Sequence, residues 1–144
     1  GGPTTLASYG VEKAADRPVA KVHAEALEAV PQAHVDYLNR LPVLHRLGEA
    51  TFVHAGIRPG VALDQQVETD LIWIREPFLS RTESFGPLIG HGHTAIDAAT
   101  LYGNRLNIDS GAAYGGPLSA VVIEGRDAAL LTPAGRKKLT VVPA

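Results

Sequence analysis

The stretch "VLHRLGEATFVHAG", Val43 to Gly56, is where the chain changes character. Upstream of it apolar residues recur at three- and four-residue intervals. Within it two short runs flank Gly48-Glu49, the pattern of two short strands around a tight turn. The second run, Ala50 to His54, predicts a strand that leaves the imidazole of His54 at the edge of a sheet. Helical spacing comes first and strand spacing later, so the fold class is α/β or α+β with a mixed sheet.

Working upstream, Asp16 to Val30 predicts a helix. Asp16 is its N-cap and Pro18 lies in its first turn, with Val22, Ala26 and Ala29 or Val30 at helical spacing. Pro31 stops it and opens a second short helix, "PQAHVDYLNRLP", with Val35, Leu38 and Leu41 on one face. The two form a helical pair. Gly1 to Gly10 is turn-rich and polar, which predicts a loop.

Downstream, Val61 to Gln66 predicts a loop, and "ETDLIWIREPFL", Glu68 to Leu79, a helical turn that breaks before Pro77. "GPLIGHGH", Gly86 to His93, is a short buried strand entering a glycine-spaced turn, and "NRLNIDSG", Asn104 to Gly111, is another strand. "PLSAVVIEG" and "AALLTPAG" complete a run of apolar strands separated by Gly125-Arg126-Asp127. The basic "GRKK", Gly135 to Lys138, is a solvated tail or hairpin. There is no internal repeat and no low-complexity linker.

A chain of 144 residues fits one domain, residues 1–144, and buries roughly two-thirds of its unfolded surface. With 13 basic against 15 acidic residues the net charge is −2, so no general field draws in nucleic acid or an anionic membrane. Any bound anion needs a local site. The absence of cysteine excludes disulfides, thiolate ligands and a cysteine nucleophile. No apolar run approaches the roughly 18 residues of a membrane span, and no signal-peptide pattern opens the chain, so a cytoplasmic location is expected. The chain also lacks methionine, and "GGPTTLASYG" has the look of the middle of a domain, which suggests a fragment.

Six histidines are the candidate chemistry. His23 and His34 fall on helices and His45 in a short strand, where surface or satisfied roles are the rule. His54, His91 and His93 differ, because they sit at strand ends beside small residues. Strand ends are where α/β folds place their sites, and a small neighbour lets a metal or substrate approach the backbone. Imidazole is the commonest metal ligand, but two histidines do not complete a catalytic centre. Asp70, Asp97 and Asp109 are the carboxylates near strand ends, and no spacing selects one of them. Arg75, in "WIREP", is either a phosphate clamp or a salt-bridge partner of Glu76.

The ordered set "GGPTTLASYG", "FVHAGIRP", "DLIWIREPFL", "IGHGHTA" and "RLNIDSGAAYGGPLSAVVIEG" resembles the C-terminal half of bacterial and phage serine/threonine protein phosphatases of the calcineurin-like metallophosphoesterase superfamily. The similarity runs from Gly1 to about Gly125. No one segment is specific; their order is. The resemblance implies a four-layer α/β sandwich, of which this chain is the C-terminal portion, with strand-end loops that hold two divalent metals. Manganese is the first expectation for these, with iron or zinc as alternatives.

By the same resemblance His54 and His93 ligate the second metal, Arg75 helps bind the phosphate, and Tyr114 lies close to the substrate. His91 is a ligand in the wider Gly-His-x-His pattern and a mere neighbour in the protein-phosphatase pattern. The implied activity is metal-assisted hydrolysis of a phosphoprotein or another phosphoester. The family's Asp-x-His, Gly-Asp-x-x-Asp-Arg and Gly-Asn-His-Glu/Asp motifs do not occur in these residues. The N-terminal half that supplies the first metal's ligands is therefore expected to be missing, and this stretch alone to be inactive. The rival expectations are a non-catalytic binding or regulatory module that keeps the fold, and a superfamily cousin acting on dinucleotides or other phosphoesters.

Overall fold

The computed structural model describes residues 1–143 and divides the chain into two units, Gly1–Leu41 and Pro42–Ala144. The first unit is helical throughout. Its opening segment, expected to be a loop, is a helix, α1 (Gly2–Ser8), followed by a 3-10 turn at Ala14–Asp16. Pro3 fits the first turn of α1 because the N–H it lacks would have had no partner there. Gly10, at φ 88°, closes the helix: its N–H bonds the Ala7 carbonyl at 2.9 Å, and that of Val11 bonds the Leu6 carbonyl at 3.0 Å. This is a glycine C-terminal cap, so a residue that suggested a loop is a helix stop.

The second helix, α2 (Val19–Ala29), starts two residues later than an Asp16 cap predicts. Asp16 belongs to the 3-10 turn, Pro18 takes the cap position, and Arg17 before it is extended at φ −124° and ψ 153°. A residue preceding proline is pushed out of the helical region, which is why the helix cannot reach back to Asp16. Then α3 (Gln32–Asn39) follows Pro31, and its His34 Nδ1 hydrogen-bonds the Tyr9 hydroxyl at 2.9 Å. The expected apolar face of α3 is only half-buried at Val35, while Leu38 and Leu41 are exposed.

In the second unit, β1 (Leu44–Leu47) and β2 (Ala50–Val53) form the hairpin around Gly48-Glu49. After α4 (Glu68–Trp73) come β3 (Leu88–His91), β4 (Thr100–Leu101) and β5 (Arg105–Asn107). These five strands make one mixed sheet in the order β1-β2-β3-β5-β4. The three central strands are parallel and the two outer ones antiparallel to their neighbours. The two-residue β4 was not expected. The strands β6 (Val121–Glu124), β7 (Asp127–Thr132) and β8 (Gly135–Lys138) form a separate antiparallel meander, so "GRKK" is the closing strand of a hairpin.

Period-two alternation divides the main sheet's residues between two cores. On one face Ile89 packs with Ala55, Ile57, Leu71, Ile74 and Phe78 from α4 and its flanking loops. On the other, Leu88, Leu101 and Leu106 pack with Ala128 of the small sheet. The fold is thus a mixed α/β arrangement with two sheets and few helices. Its central parallel strands all deliver their C-terminal ends to the same edge.

Candidate metal centre

Three strand ends converge on that edge. Phe52 of β2 is paired with Gly90 of β3, so two residues further on His54 and Gly92 face each other, and the Gly92 N–H donates to the His54 carbonyl at 2.9 Å. The strand β2 ends at Val53, one residue short of the prediction, leaving His54 exposed in the first loop position. Asp109 follows β5 on the same edge. His54, His91, His93 and Asp109 line an open pocket of about 380 Å³ floored in part by Phe52 and Ile108.

His54 Nε2 and His93 Nδ1 lie 3.2 Å apart. Two nitrogens that share one ion with bonds of about 2.0–2.1 Å stand roughly 2.9 Å apart at a right angle and 3.3 Å apart at a tetrahedral one. The observed spacing falls between these, so the pair fits two corners of a single coordination sphere. One of the two nitrogens must carry a proton for the pair to hydrogen-bond to each other. With that proton moved to the far ring nitrogen, both nitrogens are free to accept.

His93 is held there under strain. Its φ of 67° is left-handed, and the Thr94 N–H reaches back to the Gly92 carbonyl at 2.7 Å, closing a three-residue turn on the imidazole. A non-glycine residue in this region costs of order 1–3 kcal/mol and persists where the surroundings impose it. Burial, then the Arg75 charge, then His54, hold the His93 imidazole below its ordinary pKa, while Asp109 opposes them. A neutral imidazole is the ligating form.

The Arg75 charge is thus felt at His93. Among the described residues Arg75 has no ion-pair partner: Glu76, the expected one, accepts instead from the Ser80 hydroxyl at 2.6 Å. Trp73, two residues before, meets the His93 ring edge-to-face at 5.6 Å. Sequence reasoning passed over this tryptophan, although its place beside Arg75 was a signal.

His91 goes elsewhere. It is 2 % exposed and lies edge-on to Phe78 at 4.9 Å, its Nδ1–H donating to the Gly92 carbonyl at 3.2 Å. Its Nε2 has no partner among the described residues. Burial, and next the charge of Arg105, push its pKa down to about 4.

Of the carboxylates, Asp70 is bound by Arg58 and Asp97 is exposed. Asp109 faces the pocket, but one of its oxygens accepts the Gly111 N–H at 3.0 Å. No group of three histidine or carboxylate donors gathers among the described residues. Tyr114, on the short 3-10 turn Ala112–Tyr114, is 87 % exposed and among the described residues makes no ring contact with either imidazole. The structure thus brings together His54 and His93 with Trp73 against them, sets Arg75 two residues beyond Trp73, and leaves Tyr114 on the turn Ala112–Tyr114.

Glycines shape the site's supports. A Cβ on Gly56 would lie 2.3 Å from the Phe78 ring, and one on Gly90 2.8 Å from the Phe52 ring. No family model, no curated protein and no solved structure matches the chain.

Proposed function

We propose that these residues form part of a metal-dependent phosphomonoester hydrolase of the serine/threonine protein phosphatase type, built on the four-layer sandwich of the calcineurin-like metallophosphoesterases. The observation that carries the reading is the 3.2 Å approach of His54 Nε2 and His93 Nδ1 from two adjacent strand ends. The strained turn at His93 and the unpaired guanidinium of Arg75 support it.

In this reading His54 and His93 hold one divalent cation, manganese first among the candidates, with iron or zinc as alternatives. When bound, such ions acidify a water and offset the charge of the phosphoryl oxygens. Arg75 binds two phosphoryl oxygens through its fork and orients the ester. The loop bearing Tyr114 lies on the substrate side. Two imidazoles are too few for a catalytic centre, so the remaining ligands, a second ion and the group that protonates the leaving oxygen come from outside these residues. Alone, the chain hydrolyses little or no phosphoester.

Mn2+ titration of the chain by calorimetry tests this. His54→Ala and His93→Ala should each abolish uptake that the parent shows, while Arg75→Ala should leave it intact. Uptake that survives both histidine substitutions would sink the proposal. A second reading, a binding or regulatory module that keeps the fold without metal, is favoured by the lack of a three-donor cluster among the described residues. It requires that the parent take up no stoichiometric Mn2+.

A further inference from the structure

The connection from His54 to α4 runs from Ala55 to Val67 without regular structure. Connections of that length usually wander over the surface. This one is closed by side chains. Arg58 Nε and one terminal nitrogen donate to the two carboxylate oxygens of Asp70, each at 2.6 Å. Gln66 grips the neck of the loop: its Oε1 accepts the Arg58 N–H at 2.7 Å, and its Nε2 donates to the Arg58 and Val61 carbonyls at 3.0 and 2.9 Å. The Ala55 N–H adds a bond to the Leu71 carbonyl at 2.8 Å.

None of Arg58, Gln66 and Asp70 lines the pocket. What they tie together does bear on it. Ala55 directly follows His54, Trp73 lies within one helical turn of Asp70, and Arg75 follows two residues on, past the end of α4. A two-point guanidinium–carboxylate fork fixes angle as well as distance, which a single contact cannot. Gln66, bonded to both backbone groups of Arg58, keeps the loop from sliding under the fork.

We infer that Arg58, Gln66 and Asp70 form a latch that positions Trp73, and with it the segment that carries Arg75, against His93. They are positioning residues, and their effect falls on the geometry of the site. An ordinary exposed ion pair would contribute little to anything. The inference rests on the metal reading for its purpose, but its geometry has an independent reporter: Trp73 is the only tryptophan in the chain and touches His93.

The experiment is Trp73 fluorescence of the full chain, with Arg58→Lys, which keeps the charge and breaks the fork, and Asp70→Asn, which keeps the shape and removes the charge. His93→Gln calibrates the signal by removing the imidazole from the indole. Both latch variants should keep the parent's far-ultraviolet circular dichroism, and both should shift Trp73 emission in the direction of His93→Gln. Acrylamide should quench them more readily than the parent. Should either variant fail to fold, Gln66→Ala, which spares the ion pair, carries the same expectation. Folded variants with the parent's emission and quenching would overturn the latch. A parent that takes up no Mn2+ would instead remove the metal reading, and Trp73 would still decide whether the latch exists.

Discussion

Replacing Gly56 by alanine places one methyl group against the ring of Phe78. An ideal Cβ there lies 2.3, 2.6 and 2.8 Å from Cδ1, Cε1 and Cγ of that ring. Carbon atoms settle at about 3.5–4.0 Å, so the ring must retreat by roughly 1 Å or more. It has nowhere to go. Phe78 is fully buried, with Phe85 stacked at 5.4 Å, His91 edge-on at 4.9 Å and the Arg105 guanidinium at 6.0 Å. Overpacking of a core costs about 1–3 kcal/mol, and a ring hemmed in on several sides belongs at the upper end. The loss of unfolded-state freedom on going from glycine to alanine returns about 0.4–1 kcal/mol. The expected net loss is therefore about 2 kcal/mol, read from the urea midpoint at unchanged slope. Adding Phe78→Leu, a smaller side chain, should make the double substitution cheaper than the sum of the two singles by about 1 kcal/mol. A Gly56→Ala loss under about 1 kcal/mol, or strict additivity, would refute the packing argument.

Other outcomes follow from the same structure. The folded chain holds His91 near 4 against an ordinary 6.5, so folding favours its neutral form. The associated stability is complete above pH 6.5 and is lost as pH falls toward 4, by up to about 3 kcal/mol in order of magnitude. Urea midpoints for His91→Leu should lack that slope across the same pH window, and Arg105→Met should make it shallower by removing the neighbouring charge. His93→Gly relieves a left-handed residue worth about 1–2 kcal/mol but adds glycine's chain entropy of about 0.5–1 kcal/mol. Its stability should stay within about 1 kcal/mol of the parent while Mn2+ uptake disappears, and a loss above about 2 kcal/mol would mean that the imidazole is structural. At Gly116 a Cβ would lie 2.2 Å from the Ser110 carbonyl oxygen, which is backbone and cannot step aside. Gly116→Ala should cost about 2 kcal/mol or more by chemical denaturation, and a neutral effect would show that this turn is looser than the contact implies.

The approach of His54 to His93 was legible because each lies just past a short apolar strand beside a glycine or alanine, and parallel pairing then places successive strand ends side by side. The α/β class was legible for the same reason, since apolar spacing switches from helical to alternating at Val43. Boundaries were less so. The glycine and proline residues of "GGPTTLASYG" start and stop a helix where they were expected to prevent one. Pro18 displaces the start of α2, and β4 is too short to carry a period. The interactions that brace the site were illegible in principle. Arg58 meets Asp70 across a folded loop, and Gly56 meets Phe78 across a core, through contacts that leave no mark on residue spacing.

The two sheets also end differently, and this governs how the molecule meets other chains. On the small sheet the outer strand β8 is Gly-Arg-Lys-Lys, exposed throughout, with Arg136 bonded to Glu124 at 3.3 Å and Lys138 to Asp127 at 3.1 Å. Such a strand repels any copy of itself that tries to pair with it. The outer strand β1 of the main sheet, Leu-His-Arg-Leu, carries a single fixed charge and leaves Leu47 66 % exposed. Of these two outer strands it is β1 that invites strand addition at high concentration, and a lysine in place of Leu47 would make it as unreceptive as β8.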